Sequence, residues 1–138
     1  MTYLLDRSAL IHLLTQCATP MRDRMRAAQQ RGDRLAMSAV TLAELETIAG
    51  RISDDADVRK VLDQLQSTVE VLAWPADAAL ALARMPPAPG AAIQDLQVAA
   101  HALATSADLV VAGTPCLPRI PGLSFVDWTR PASVANPG

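Results

Sequence analysis

The amino-acid sequence predicts an α/β fold in which a mostly parallel central sheet of four to five short strands is flanked by helices. Three observations lead to this prediction. Short apolar runs recur along the chain, stretches rich in Ala and Leu with helical spacing separate them, and Gly or Pro stands at most of the boundaries. Strands that alternate with helices pair in parallel through right-handed crossovers, so both faces of the sheet are covered.

The first half of the chain repeats a pattern of strand followed by helix. Residues 3–6 form a short apolar run, which predicts a buried strand. A helical repeat follows directly from Ser8. Pro20 in a first turn and Gly32 beyond a last turn delimit the next helix, and Gly50 is expected to end a later one. The elements predicted after the first helix are a helix over 19–30, a strand over 35–38, and helices over 40–49 and 55–65.

The second half continues this pattern with interruptions by proline. Pro75 opens an Ala-rich helix, and the segment 85–90 must end it because proline lacks the backbone N–H donor. Residues 93–106 give the most regular helical pattern of this half. The predicted strands are 69–72, 109–111 and 124–126, the last of them at an edge of the sheet.

Length, charge and composition indicate a single domain. A chain of 138 residues holds one ordinary core, predicted to span residues 1–128, and a flexible C-terminal tail is predicted over 129–138. The net charge of −2 excludes a generally basic surface. No apolar run is long enough to cross a bilayer, and Cys17 and Cys116 lack metal-site or disulfide spacing, so we expect a cytoplasmic protein.

Three acidic residues stand where predicted strands end or the following helices begin. Each has an ordinary structural interpretation. Asp6 can cap the first helix, and Asp95 can interact favourably with a helix dipole. Glu44 lies three residues after Thr41, which is the spacing of a capping box. The carboxyl ends of parallel strands nevertheless meet at one edge of a sheet, so the three carboxylates are expected to converge there.

Carboxylates that converge repel one another unless a cation lies between them. Mg²⁺ or Mn²⁺ suits a site of oxygen ligands without His or Cys, and such an ion can activate water for attack on a phosphodiester. Other chemistries are poorly supported, because the sequence has no phosphate-binding Gly-rich loop, no G-x-S-x-G and no H-E-x-x-H. We interpret His12 and His101 as packing or surface residues, and Trp74 and Trp128 as packing residues.

Four segments of the chain carry a family resemblance. They are MTYLLDRSALIHLL, SAVTLAELETIAG, IQDLQVAAHALATSADLVV and RIPGLSFVDW, and together they resemble the ordered motifs of PIN-domain toxins of the VapC type. The resemblance implies a Mg²⁺- or Mn²⁺-dependent endoribonuclease toxin that cleaves RNA, forms a homodimer and is neutralised by a cognate VapB-like antitoxin. It also implies that Asp6, Glu44 and Asp95 are catalytic metal ligands, with Ser8 as a supporting residue.

Two places depart from the pattern of that family. Arg7 stands where a small residue is usual, and its guanidinium could pair with the acids or with a substrate phosphate. The segment from Val110 to Leu117 lacks the acid that the family usually has there, so Gly113, Thr114 and Cys116 are candidate remnants of the site. Without a fourth carboxylate a second metal would be weakly held.

The missing acid leaves a second hypothesis open beside the active ribonuclease. This is a degenerate PIN domain that binds RNA or the antitoxin with weak or no catalysis. A third hypothesis is a flavodoxin-like or receiver-like domain that uses Asp6 as a phosphoacceptor. It requires a lysine near the C-terminal end, which the chain lacks.

Overall fold

The computed structural model describes residues 1–16, 19–52, 56–113, 117 and 119–130. In chain order the elements are β1 (Thr2–Leu5), α1 (Arg7–Thr15), α2 (Thr19–Gln30), β2 (Arg34–Ser38), α3 (Ala39–Ile52), α4 (Ala56–Thr68), β3 (Glu70–Leu72), α5 (Ala76–Ala83), α6 (Ile93–Thr105), β4 (Asp108–Val111) and β5 (Phe125–Asp127). Most of the predicted tail, residues 131–138, lies outside the described residues. Among those described, no helix combines the length and the apolar character that crossing a bilayer requires.

The strands form one parallel sheet in the order β3-β2-β1-β4-β5. The chain places β2 and β3 successively to one side of β1, then crosses back and places β4 and β5 on the other side. Strand order therefore reverses between β1 and β4, and ligands of open α/β sheets bind beyond the carboxyl ends of the strands at such a point. The predicted α/β class, with a parallel sheet and flanking helices, is confirmed.

The apolar residues of the strands alternate between two cores, one on each face of the sheet. Leu5 and Val110 belong to the core that α1, α2 and α4 cover. Leu4 and Leu109 belong to the opposite core, which α6 covers, and α5 packs along α6. Because α3 contacts both α1 and α6, it links the two helical layers at the edge where β2 ends.

The first turn of α3 differs from the prediction. The helix begins at Ala39, directly after β2, and the backbone N–H of Val40 donates to Ser38 Oγ at 3.2 Å. Thr41 therefore lies inside the helix, fully buried, and the capping-box interpretation of Thr41 and Glu44 is wrong. The expected stop at Gly50 is also wrong, since the helix continues to Ile52.

The histidine and tryptophan side chains predicted to pack do so at three positions. His101 is 1% exposed, and its Nδ1 lies 2.9 Å from Ser38 Oγ. Burial lowers the pKa of His101, which favours the neutral ring. Trp128 is buried with its ring centroid 4.7 Å from that of Tyr3, and Trp74 Nε1 donates to the Gln97 carbonyl at 2.9 Å.

We predict that Leu10→Ala lowers the free energy of unfolding by about 3 kcal/mol, because the removed atoms leave a cavity in a close-packed core. Leu10, on the buried face of α1, is 0% exposed, whereas Leu80 on α5 is 57% exposed. The control Leu80→Ala should change the same quantity by less than about 1 kcal/mol. Urea unfolding followed by circular dichroism measures both, and equal losses in the two variants would contradict the assignment of this core.

Candidate active site

The candidate active site lies at the carboxyl edge of the sheet, next to the point where strand order reverses. Asp6 is the first residue after β1, and its backbone N–H donates to the Val110 carbonyl of β4 at 3.0 Å. This hydrogen bond continues the β1–β4 pairing up to the acid itself. The backbone of Asp6 is therefore fixed by the sheet rather than by a loop.

The carboxylate of Asp6 is held by residues of the first turn of α1. Its Oδ1 accepts from the Ala9 backbone N–H at 2.9 Å and from Ser8 Oγ at 2.6 Å. Ser8 Oγ in turn accepts from the backbone N–H of Ala112, just beyond β4, at 3.1 Å. Asp6 is thus a helix cap, as its ordinary interpretation predicts. Ser8 connects the carboxylate of Asp6 to the end of the adjacent strand, β4.

Glu44 and Asp95 reach the same edge from two other helices, and Arg7 joins them. Arg7 Nη1 donates to Glu44 Oε2 at 2.7 Å, and Arg7 Nη2 lies 3.9 Å from Asp95 Oδ1. The Glu44 side chain is 14% exposed, Asp95 30% and Arg7 42%. The guanidinium of Arg7 on α1 therefore contacts acids of both α3 and α6. Arg7 directly follows Asp6 in the sequence.

Burial and mutual repulsion act on the acids of this site. Burial raises the pKa of Asp6, hydrogen bonds from Ser8 and Ala9 oppose that rise, and the charge of Asp95 adds to it. Burial also raises the pKa of Glu44; Arg7 opposes the rise, while Asp95 and Asp6 add to it. Arg7 thus does not fully offset the effect of burial on Glu44, to which the neighbouring carboxylates add.

The donor set fits a hard divalent cation in its chemistry. Asp6, Glu44 and Asp95 offer only carboxylate oxygens, which Mg²⁺ and Mn²⁺ prefer, and the electrostatic coupling places the three side chains within range of one another. Within the described part of the chain, however, no three acidic, His or Cys side chains are close enough to form a ready-made metal site. The guanidinium of Arg7 is the cation in contact with Glu44 and Asp95.

The segment after β4 is described only in part. Gly113 is exposed and has a φ of +83°, a conformation that favours glycine. Thr114 and Cys116 lie outside the described residues. The structure therefore places Gly113 just beyond the strand end that Ser8 contacts through Ala112, on the carboxyl side of β4.

Asp127 is a further acid at this edge, which the sequence analysis did not single out. It ends β5, paired in register with Val111, and its Oδ1 accepts from the backbone N–H and the Oγ1 of Thr129 at 2.9 Å and 2.6 Å. The signal in the sequence was an acid at the end of a predicted strand. Its carboxylate is engaged by its own turn and by the backbone of Gly113, which indicates a structural role.

A groove of about 530 Å³ between α3 and α6 opens beside the site. Its lining includes Arg7, Glu44, Ile48, Arg51 and Gln94. Two arginines therefore face a cavity next to an acidic cluster.

Comparison with known proteins identifies the fold independently. The family model of the PIN domain matches residues 3–121. A search of curated proteins gave no match. Among solved structures, the chain is similar to VapBC2 from Rickettsia felis bound to a DNA fragment from their promoter, with 20% identity and a TM-score of 0.84, over 93% of this chain and 99% of that one.

Two further solved structures are similar. VapBC-1 from nontypeable Haemophilus influenzae has 25% identity and a TM-score of 0.76, and the match covers 94% of this chain and 100% of that one. DNA-bound VapBC from Salmonella typhimurium has 23% identity and a TM-score of 0.79, over 93% and 98% of the two chains. All three matches extend over nearly the full length of both chains.

We predict that Asp127→Ala lowers the free energy of unfolding by about 1 kcal/mol at neutral pH, because it removes hydrogen bonds to a carboxylate. Burial alone would raise the pKa of Asp127, but the hydrogen bonds from Thr129 and Gly113 hold it below its ordinary value of 3.8. A lowered pKa stabilises the fold above the unfolded-state value, and this stabilisation is lost as pH falls through the folded-state value.

The difference between native protein and Asp127→Ala should therefore shrink when urea unfolding is repeated well below pH 3.8. Asp77→Ala, which removes an exposed acid of α5, serves as the control. A difference that stays constant with pH would show that the carboxylate charge of Asp127 does not stabilise the turn.

Proposed function

The chain belongs to the PIN-domain family, and from that premise we propose that it is a Mg²⁺- or Mn²⁺-dependent endoribonuclease toxin of the VapC type. It hydrolyses phosphodiester bonds of RNA and is neutralised by a VapB-like antitoxin. The observation that carries this proposal is the meeting of Asp6, Glu44 and Asp95, from three separate elements, at the carboxyl edge of the sheet. Partly buried carboxylates that lie close together repel one another, and a bound cation relieves that repulsion.

Each residue has a distinct part in the proposed site. Asp6, Glu44 and Asp95 would hold the ion, which when bound supplies Lewis acidity that acidifies water and offsets negative charge on a phosphodiester. Ser8 keeps the Asp6 carboxylate oriented through its 2.6 Å hydrogen bond and is itself anchored to Ala112. Because Asp6 is also fixed by the sheet and the helix cap, its oxygens need little reorganisation before ligand binding.

The antitoxin partner is supported by a second groove on the opposite helical layer. The similar solved structures are VapBC complexes. In this chain, a groove of about 540 Å³ between α1, α2 and α4 is lined by apolar side chains, including Leu13, Leu14 and Val61, and by Arg22 and Arg26. An amphipathic segment with acidic residues would complement that lining. We infer that this groove receives the antitoxin.

A homodimer is supported by exposed apolar residues on α3 and α6. Ile48 is 37% exposed and Ile93 52%. Ile48 lines the α3–α6 groove together with Gln94, the neighbour of Ile93. Large apolar side chains in such positions are typical of surfaces that a second subunit covers. We propose that the protein acts as a cytoplasmic homodimer.

A degenerate PIN domain is the second candidate function. It is favoured by the lack of a ready-made metal site among the described residues and by the absence of an acid in the segment that follows Ala112. In that case the chain would keep its RNA- or antitoxin-binding surfaces with weak or no catalysis. The cleavage experiment below separates the two candidates.

We predict that purified protein cleaves RNA in Mn²⁺ or Mg²⁺, and that Asp6→Asn, Glu44→Gln and Asp95→Asn each reduce the rate at least about 100-fold, since each removes a charged metal ligand. A 5′-labelled RNA resolved on a denaturing gel measures the rate. Glu70→Gln is a matched control, because Glu70 also pairs with an arginine of another element, Arg34, at 2.8 Å.

The control variant should cleave like the native protein, because Arg34 and Glu70 lie at the amino ends of β2 and β3, away from the site. Cleavage that persists in EDTA and in Asp6→Asn would contradict the proposed site. RNA that stays intact while the protein still binds it would favour the degenerate domain.

We predict that Ile48→Glu converts the homodimer into monomers, because a buried unpaired carboxylate is strongly unfavourable in an apolar interface. Val61→Glu, on α4, is the matched control: Val61 is 41% exposed but lines the other groove. It should remain dimeric and lose antitoxin binding. Light scattering after size-exclusion chromatography measures the mass, and an unchanged dimer of Ile48→Glu would rule out this interface.

A further inference from the structure

Arg7 is the cation that the described residues supply to the acidic cluster. It follows Asp6 directly in the chain, and its two terminal nitrogens reach acids of two different helices, Glu44 at 2.7 Å and Asp95 at 3.9 Å. A guanidinium so placed satisfies one oxygen of Glu44 and stands near one oxygen of Asp95. Both carboxylates are among the groups that a metal ion would need.

The contact with Glu44 differs in its setting from an ordinary surface ion pair. Glu44 is 14% exposed, whereas the two members of the Arg34–Glu70 pair are 55% and 50% exposed. Solvent screens the second pair much more than the first. The Arg7–Glu44 pair also lies among further negative charges, since both Asp6 and Asp95 act on Glu44.

We propose that Arg7 is a resident counter-ion that competes with the divalent cation for Glu44 and Asp95, and so sets how tightly this chain holds its metal. This inference rests on the proposed function, because it takes the three acids as the metal ligands. In the metal-free protein the guanidinium reduces repulsion among the acids. Glu44 and Asp95 would hold the cation in place of the guanidinium, which would weaken the Arg7–Glu44 hydrogen bond, and the 42% exposure of Arg7 leaves it room to move outward.

The proposal accounts for an otherwise contradictory pair of observations. Asp95 raises the pKa of both Asp6 and Glu44, so the three acids are neighbours, yet no three of the described acidic, His or Cys side chains form a metal site. A positive charge in contact with two of the acids explains both. It keeps the carboxylates near each other while it directs their oxygens to itself.

The test is calorimetric titration of Mn²⁺ into metal-free protein at fixed ionic strength. Arg7→Gln removes the charge and keeps a similar length, and Arg34→Gln is the matched control. We expect Arg7→Gln to bind Mn²⁺ about tenfold more tightly than the native protein, as loss of one competing ion pair of moderate strength implies. Arg34→Gln should match the native protein. Without metal, Arg7→Gln should also melt at a lower temperature, and Mn²⁺ should raise its melting temperature more than that of the native protein.

The outcomes distinguish this inference from the proposed function. If native protein and Arg7→Gln bind Mn²⁺ equally, or Arg7→Gln binds more weakly, the competition is refuted while the metal site stands. If only Arg7→Gln binds, the competition is supported and the native chain is not a metal enzyme. If both are folded and neither binds, both proposals fail. Should Arg7→Gln not fold, Arg7→Met replaces it, because Met also removes the charge and has a similar length: affinity above the native value supports competition, and an unchanged value refutes it.

Discussion

The burial of acidic side chains at the carboxyl edge of the sheet, to which their mutual repulsion adds, is the constraint on which the candidate site depends. Asp6, Glu44 and Asp95 come from β1, α3 and α6, and each pair of neighbours raises the cost of keeping the charges together. The fold tolerates them because the sheet fixes Asp6, the first turn of α1 donates hydrogen bonds to it, and Arg7 offers one compensating charge.

The topology of the sheet explains why these acids meet. Strand order reverses between β1 and β4, and in open α/β sheets ligands bind beyond the carboxyl ends of the strands at such a point. Asp6 is at the end of β1 on that edge. α3 contacts both α1 and α6, which brings Glu44 to the same place from one side and Asp95 from the other.

Two arginine–glutamate pairs show how burial changes the effect of an ion pair on the glutamate pKa. Arg34 and Glu70 join the amino ends of two neighbouring strands in solvent. The pKa of Glu70 is lowered, chiefly by the hydrogen bond from Arg34. Arg7 and Glu44 form an equally short contact, yet the pKa of Glu44 is raised because burial outweighs the arginine. The first pair links strands, whereas the second belongs to a site with excess negative charge.

The α/β class, nearly all of the helices and strands to within a few residues, and the three acids proposed for the candidate site could be predicted from the sequence alone. Periodicity and proline or glycine boundaries depend on local backbone chemistry, which a single sequence contains. The prediction for the start of α3 is wrong, because Ser38 at the end of β2 caps the helix and leaves Thr41 in the interior. Three features required the folded structure: the contact of Arg7 with Glu44, the hydrogen bonds of Asp127 within its own turn, and the helices that form each groove. These features depend on distances between residues far apart in the chain, and such distances are set by packing.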